Sequence, residues 1–129
     1  MMIKKLPYVE SFRGLLVYNK SLELADKLFQ TTKEFPKEEI YSLTNQIRRS
    51  SRSIGAQIAE AWGKRRYIRH FISKLTDASA EVFETEHWID IALSCGYINN
   101  QSKNELYNLC IEINRLLGGM ISKADQFCD

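Results

Sequence analysis

Apolar residues recur along this chain in steps of three and four between short polar breaks, and the spacing predicts four helices. Over about residues 11–33, Leu15, Tyr18, Leu22, Ala25 and Phe29 mark one face, and Val17, Leu24 and Leu28 form a second apolar row beside it. Such a stripe is wider than one helical neighbour requires. "EFPKEE" breaks the pattern. Pro36 suits the first turn of a new helix, where its missing N–H costs nothing, and Glu38 and Glu39 suit the positive end of the dipole. The second helix is expected over about 37–62 on Ile40, Leu43, Ile47, Ile54, Ile58 and Ala61. Ser50, Ser51, Ser53, Gly55, Ala56 and Ala59 lie between them, a density of small residues that permits close helix approach at some loss of helicity.

Gly63 is the only breaker before a third helix over about 65–94, with its seam at Ile68, Phe71, Leu75, Ala78, Val82, Ile89 and Ala92. Gly96 is placed as its C-terminal cap. Ser102 and Glu105 read as a capping box for a fourth helix over about 103–127, on Leu106, Leu109, Ile113, Leu116, Met120 and Phe127. Gly118 and Gly119 inside that helix imply a tight crossing or a kink. Pro7 is expected to keep the residues at the start extended. Four amphipathic helices with short connections predict an all-α, up-down-up-down four-helix bundle, one domain over residues 1–129. The extra row on the first helix, with Ile111, Leu117 and Ile121 outside the main seam of the fourth, suggests surface buried between subunits.

Composition fits this picture: 129 residues, 44% apolar and 26% charged, with two prolines and six glycines, too few for a turn-rich β fold. Cys95, Cys110 and Cys128 are odd in number and widely spaced, which fits reduced packing cysteines rather than a disulfide framework or zinc site. "MMIKKLPYVESF" has no apolar run after its lysines, so it does not read as a secretory signal, and no stretch approaches the roughly 18 apolar residues of a membrane span. A soluble, cytoplasmic protein is expected.

Charge changes the picture more. The formal net charge is only +2, yet Arg48, Arg49, Arg52, Lys64, Arg65, Arg66, Arg69 and Lys74 face a single acid, Glu60, within residues 48–74. Residues 77–90 then carry Asp77, Glu81, Glu84, Glu86 and Asp90 and no lysine or arginine. If the second and third helices fold back about Gly63 and Lys64, then Arg48, Arg49 and Arg52 come level with Asp77 and within reach of Glu81. Interhelical ion pairs are one reading of these three arginines, and contact with nucleic acid is the other. Lys64, Arg65, Arg66 and Arg69 crowd one end of the bundle. Arg65 and Arg66 at a helix N-terminus oppose the dipole by about 0.3–1 kcal/mol each unless a partner uses them. Trp62, Tyr67 and His70 lie among them, and aromatic groups beside arginines can stack on unpaired bases.

Catalytic chemistry finds little support. Glu84 and His87 form the E-x-x-H half of a di-iron bundle site, but His70 is preceded at that spacing by Tyr67, so the second half is missing. Glu86 falls near the apolar seam, where an ion pair with Arg49 is expected. There is no phosphate-cradling glycine loop and no serine or cysteine with an evident histidine partner. No cofactor, metal or catalytic residue is expected.

Two stretches are similar to those of a known family. "EFPKEEIYSLTNQIRRSSRSIGAQIAEAW" resembles a signature in which an FP-x-E-E turn leads into QIRR and then an N-I-A-E run. "KLTDASAEVFETEHWIDIALSCGYI" resembles the same family's third helix, with ET-x-x-W and a closing GYI. The family consists of bacterial four-helix-bundle proteins associated with intervening sequences of large-subunit ribosomal RNA genes, often labelled ribosomal-protein-like. Its fold is similar to that of the accessory variability protein of diversity-generating retroelements, a basic ring that works with a reverse transcriptase and RNA. The resemblance runs from about Ser11 to Met120 and is carried by Gln46, Arg48, Arg49, Ser53, Ile58, Ala59 and Glu60, with Gln57 where asparagine is usual and Gly55 where proline or cysteine is common. It implies a homopentameric barrel and no enzyme. The function expected is electrostatic binding of structured RNA or DNA through Lys64, Arg65, Arg66 and Arg69, assisted by Arg48, Arg49 and Arg52. The alternative is a protein-interaction scaffold or accessory subunit without direct nucleic-acid contact.

Overall fold

A computed structural model of the chain describes residues 9–129. The extended start expected from Pro7 lies outside them. Ser11 accepts a hydrogen bond from the N–H of Arg13 and so caps a 3-10 turn, Phe12–Gly14. Four long helices follow: α1 (Leu16–Thr32), α2 (Leu43–Gly63), α3 (Ile68–Ser94) and α4 (Asn100–Ser122), then a one-turn α5 (Ala124–Phe127). Among the described residues there is no strand, and no helix is long and apolar enough to cross a membrane. Each helix packs on the next and α1 packs back on α4, which closes an all-α bundle. Its centre holds Leu24, Leu28, Ile54, Ile58, Phe71, Leu75, Val82, Ile89, Ile113 and Leu117, all fully buried.

The core face of α1 is the row Val17, Ser21, Leu24, Leu28 and Thr32, not the row led by Tyr18 and Leu22. Leu22 is 49% exposed, and Phe29 is only partly covered, by the guanidinium groups of Arg48 and Arg52. Two adjacent apolar rows compete for the centre, and the one that faces both α2 and α4 takes it. On α4 the same competition puts Leu117 in the core, while Ile111 stays 58% exposed.

Pro36 does not open a helix. It precedes a 3-10 turn, Lys37–Glu39, and α2 starts at Leu43. The turn lets Phe35 and Leu43 bury together against Ala92 in a small second core under Trp88, Ile91, Tyr97 and Ile98. Two bonds fasten it, since the Glu39 carboxylate accepts from Ser42 Oγ (2.6 Å) and from Tyr97 OH (2.8 Å). Those hydrogen bonds hold the Glu39 carboxyl below the usual carboxylate range, and the same carboxylate pushes the Tyr97 phenol up to about 12. The FP-x-E-E turn and the closing GYI are thus two sides of one end of the bundle. Gly96 ends α3 with φ of 77°, a backbone conformation that an L side chain adopts only with strain.

At the other end of that loop the cap is Asn99, whose side chain accepts from the N–H of Ser102; the expected Ser102–Glu105 box does not form. α4 runs unbroken through Gly118 and Gly119, where an added Cβ would meet nothing within 4 Å, so neither glycine marks a tight crossing. The close approach is at Gly55, where a Cβ would lie 3.0 Å from Ser21 Oγ and 3.5 Å from the Tyr18 ring.

Candidate nucleic-acid interface

The loop between α2 and α3 runs through Lys64–Tyr67, longer than a hinge at Gly63 and Lys64 alone, and this shifts the pairing of the two helices. Arg49 Nη2 meets Glu84 Oε2 at 2.5 Å, and Ser50 Oγ meets Thr85 Oγ1 at 2.9 Å. Both partners lie about two turns beyond the Asp77 level expected from the sequence. Asp77 and Glu60 instead hold Lys74, at 3.7 and 3.0 Å, which raises the Lys74 pKa chiefly through the Glu60 bond. Glu86 has no ion pair with Arg49. It is half-buried, and that burial, with Asp90 adding to it, raises its carboxyl above the ordinary value.

The arginines of α2 separate accordingly. Arg48 donates from Nε to Thr32 Oγ1 (2.7 Å) and lies 4.6 Å from the centre of the Phe29 ring, so it fastens α2 to α1. Arg49 fastens α2 to α3 through Glu84, which also accepts from Trp88 Nε1 at 3.0 Å. Arg52 lies 5.4 Å from the Phe29 ring centre and makes no ion pair among the described residues. Glu84, the acid of the E-x-x-H half-motif, is therefore engaged in a structural contact, and His87 is exposed beside Trp88. Among the described residues no three His, Cys, Asp or Glu side chains are grouped to hold a metal ion. Cys110 is buried, which pushes its thiol up to about 12 and keeps it protonated.

The basic end is built differently from expectation. α3 starts at Ile68, so Arg65 and Arg66 precede it and do not sit in its first turn. Arg65 belongs to the C-terminal end of α2, where a cation is favourable: its Nε donates to Trp62 O (2.8 Å) and its guanidinium lies 3.7 Å from the Trp62 ring centre. Trp62 is partly buried against the core, so Arg65 is a lid on the packed end rather than a free cation. Lys64, Arg66 and Arg69 remain exposed and make no ion pair among the described residues. The one acid within residues 48–74, Glu60, is taken by Lys74. The first turn of α3 carries no acidic residue and no side-chain cap, so its N–H groups and dipole add positive potential beside Arg66 and Arg69. Asp129 reaches this end, its N–H donating to Arg65 O at 3.2 Å.

A profile of the family described as "23S rRNA-intervening sequence protein" matches residues 13–119. The chain belongs to that family. Among solved structures it is similar to a protein of unknown function from the S23 ribosomal protein family of Bacteroides thetaiotaomicron VPI-5482. The two share 35% identity at a TM-score of 0.75, over 83% of this chain and 96% of the other. No curated protein sequence matches. In this member of the 23S rRNA-intervening sequence protein family, the QIRR and ET-x-x-W motifs meet one another: Arg49 pairs with Glu84, Ser50 with Thr85, and Trp88 closes on Glu84. These motif residues hold α2 to α3.

Two features that a reading of basic residues passes over become visible around Arg52. Tyr41 is 92% exposed, and with Ile40 and Asn45 it shares an open cleft with Arg48, Arg49 and Arg52. The spacing Asn45, Arg49, Arg52 was a usable signal, since it traces one face of α2 with Tyr41 in the turn just before it; placing Ile40 in the core obscured it.

Proposed function

We propose that this protein is a non-catalytic, homo-oligomeric bundle of the cytoplasm that binds structured RNA or DNA through the end bearing Lys64, Arg66 and Arg69. The observation that carries the reading is the exposure of these three cations, unpaired among the described residues, around the uncapped first turn of α3. Phosphate groups fit such a site, because helix N-terminal N–H groups and arginine forks both donate to anionic oxygens. Binding would proceed by neutralising phosphates and releasing counterions, with little reading of sequence. A family named for intervening sequences of 23S rRNA agrees with an RNA ligand. Arg65 supports the site by fixing the loop rather than by offering a free charge.

The test is a titration of labelled stem-loop RNA, followed by anisotropy at low and at physiological salt. Affinity should fall steeply with salt. A Lys64→Glu/Arg66→Glu/Arg69→Glu variant should lose most of the binding, and the logarithmic salt slope should flatten by about 0.9 for each phosphate contact removed. Arg65 is left in place in that variant so that the Trp62 packing is undisturbed. Unchanged affinity in the variant would eliminate this site.

Exposed apolar side chains favour a second reading, an interaction scaffold or accessory subunit. Phe83 on α3 and Ile111 on α4 are 61% and 58% exposed. Self-assembly into the pentameric barrel implied by the resemblance would cover such surface, and so would a different protein. Recovery of one stoichiometric partner after nuclease treatment, together with no RNA binding at low salt, would favour the scaffold.

A further inference from the structure

Beside the first half of α2 lies an open cleft of about 540 Å³, within the size range of ligand-binding clefts. Its wall is unusual in combining three arginines, Arg48, Arg49 and Arg52, with Asn45 and two exposed apolar residues, Ile40 and Tyr41. Tyr41 has neither a hydrogen bond nor a ring partner among the described residues, and at 92% exposure it contributes almost nothing to the core. The arginines are held in place. Arg48 and Arg52 lie over the same Phe29 ring, and Arg48 is also bonded to Thr32, which leaves their terminal N–H groups oriented without an acidic partner among the described residues. Arg49 is shared with Glu84, yet its side chain stays 50% exposed.

This arrangement has a row of forked donors on α2 and, in the turn just before the helix and lining the same cleft, a free aromatic ring. Arg48 and Arg52 are four residues apart, about 6 Å along the helix axis, a separation close to that between successive phosphates of an extended strand. A duplex would use the arginines but not the ring, because its bases are already stacked. An acidic peptide would likewise leave Tyr41 without a role. We infer that the cleft is a second site, which takes a short unpaired stretch of nucleic acid with one base stacked on Tyr41 and the adjoining phosphates on Arg52 and Arg48. The inference rests on the preceding section only for the class of ligand and shares none of its residues: Arg52 and Lys64 are separated by about 18 Å along α2. One site would then hold a structured element and the other the single strand that leaves it.

The experiment uses a short labelled oligouridylate, with stem-loop RNA and oligoglutamate as comparisons. Tyr41→Ala should weaken oligouridylate binding by about 5- to 150-fold, the range of one base–aromatic stack, and Tyr41→Phe should restore it. Arg52→Ala should weaken it further and reduce its salt dependence. The Lys64→Glu/Arg66→Glu/Arg69→Glu variant should keep oligouridylate binding while losing the stem-loop, so the two sites fail separately. Arg48 is left unchanged because it holds α1, and circular dichroism of the Tyr41 and Arg52 variants checks that both remain folded. The proposal is overturned by any of three results: no oligouridylate binding at low salt, equal binding by Tyr41→Ala, or displacement by oligoglutamate at a potency that Tyr41→Ala does not alter.

Discussion

Ser50 and Thr85 form a polar step in the seam between α2 and α3, and both are fully buried. Thr85 donates to the Glu81 carbonyl at 2.8 Å, and the Ser50 hydroxyl reaches both Thr85 Oγ1 at 2.9 Å and, at a longer 3.4 Å, its own Ile47 carbonyl; the shorter contacts have Ser50 donating to Thr85. Thr85→Val keeps the shape and leaves the buried Ser50 hydroxyl only the long contact with the Ile47 carbonyl, which should cost about 1–2 kcal/mol. Adding Ser50→Ala removes the stranded donor, so the double variant should be less destabilised than the two single changes added together. Urea unfolding of the four proteins in the cycle measures this coupling, and strict additivity would show that the pair does not interact.

Between elements, the glycines separate two kinds of site. At Gly118 and Gly119 there is open space and an unbroken helix, so alanine at either position should stabilise the protein by about 0.5–1 kcal/mol, seen as a higher thermal midpoint. Gly55→Val should do the opposite by about 1–3 kcal/mol, because its Cβ would lie 3.0 Å from Ser21 Oγ on α1 and its methyl groups would crowd the Tyr18 ring. The loop end of the bundle offers a pH test. Glu39 is held below its ordinary value, so its contribution is present above the unfolded pKa near 4.5 and is lost as pH falls through the lower folded value. Tyr97 is raised to about 12, so its contribution is full below its ordinary value near 10 and disappears as pH rises through about 12. Tyr97→Phe should therefore lower stability at neutral pH and narrow the gap to the parent protein in both acid and alkali, as read from thermal midpoints across pH.

At the scale of the whole molecule, Phe83 on α3 and Ile111 on α4 leave apolar surface exposed on two helices packed together. Ser79 Oγ donates to Asn114 Oδ1 at 2.8 Å and Tyr107 OH donates to Asp90, two bonds that bridge α3 and α4 on either side of the level of Phe83 and Ile111. If that surface is covered by another copy, Phe83→Asp combined with Ile111→Asp should reduce the mass measured by light scattering to that of a monomer without loss of helicity. An unchanged mass would move the interface elsewhere.

Local patterning carried the sequence reading a long way, and its failures follow one rule. Helix type, helix order and the core faces of α2 and α3, apart from Ile40 and Ile68, which lie at or just before the helix starts and stay exposed, were legible because an apolar period of three to four residues commits a segment to a helix and one side of it to burial. The family was legible because its motifs are contiguous. What the sequence left undetermined were choices between alternatives of equal local merit: which of two apolar rows on α1 and α4 turned inward, whether Pro36 led into a helix or a turn, and which acid Arg49 would meet. Only packing resolved them. The length of the Lys64–Tyr67 loop set the register of α2 on α3, which placed Arg49 on Glu84, Lys74 on Glu60 and Asp77, and left Lys64, Arg66 and Arg69 without an ion pair among the described residues. Composition by itself determined that this end of the chain would be rich in positive charge. Which of those charges stayed free was a tertiary outcome, because a salt bridge depends on distances between helices that no single helix encodes.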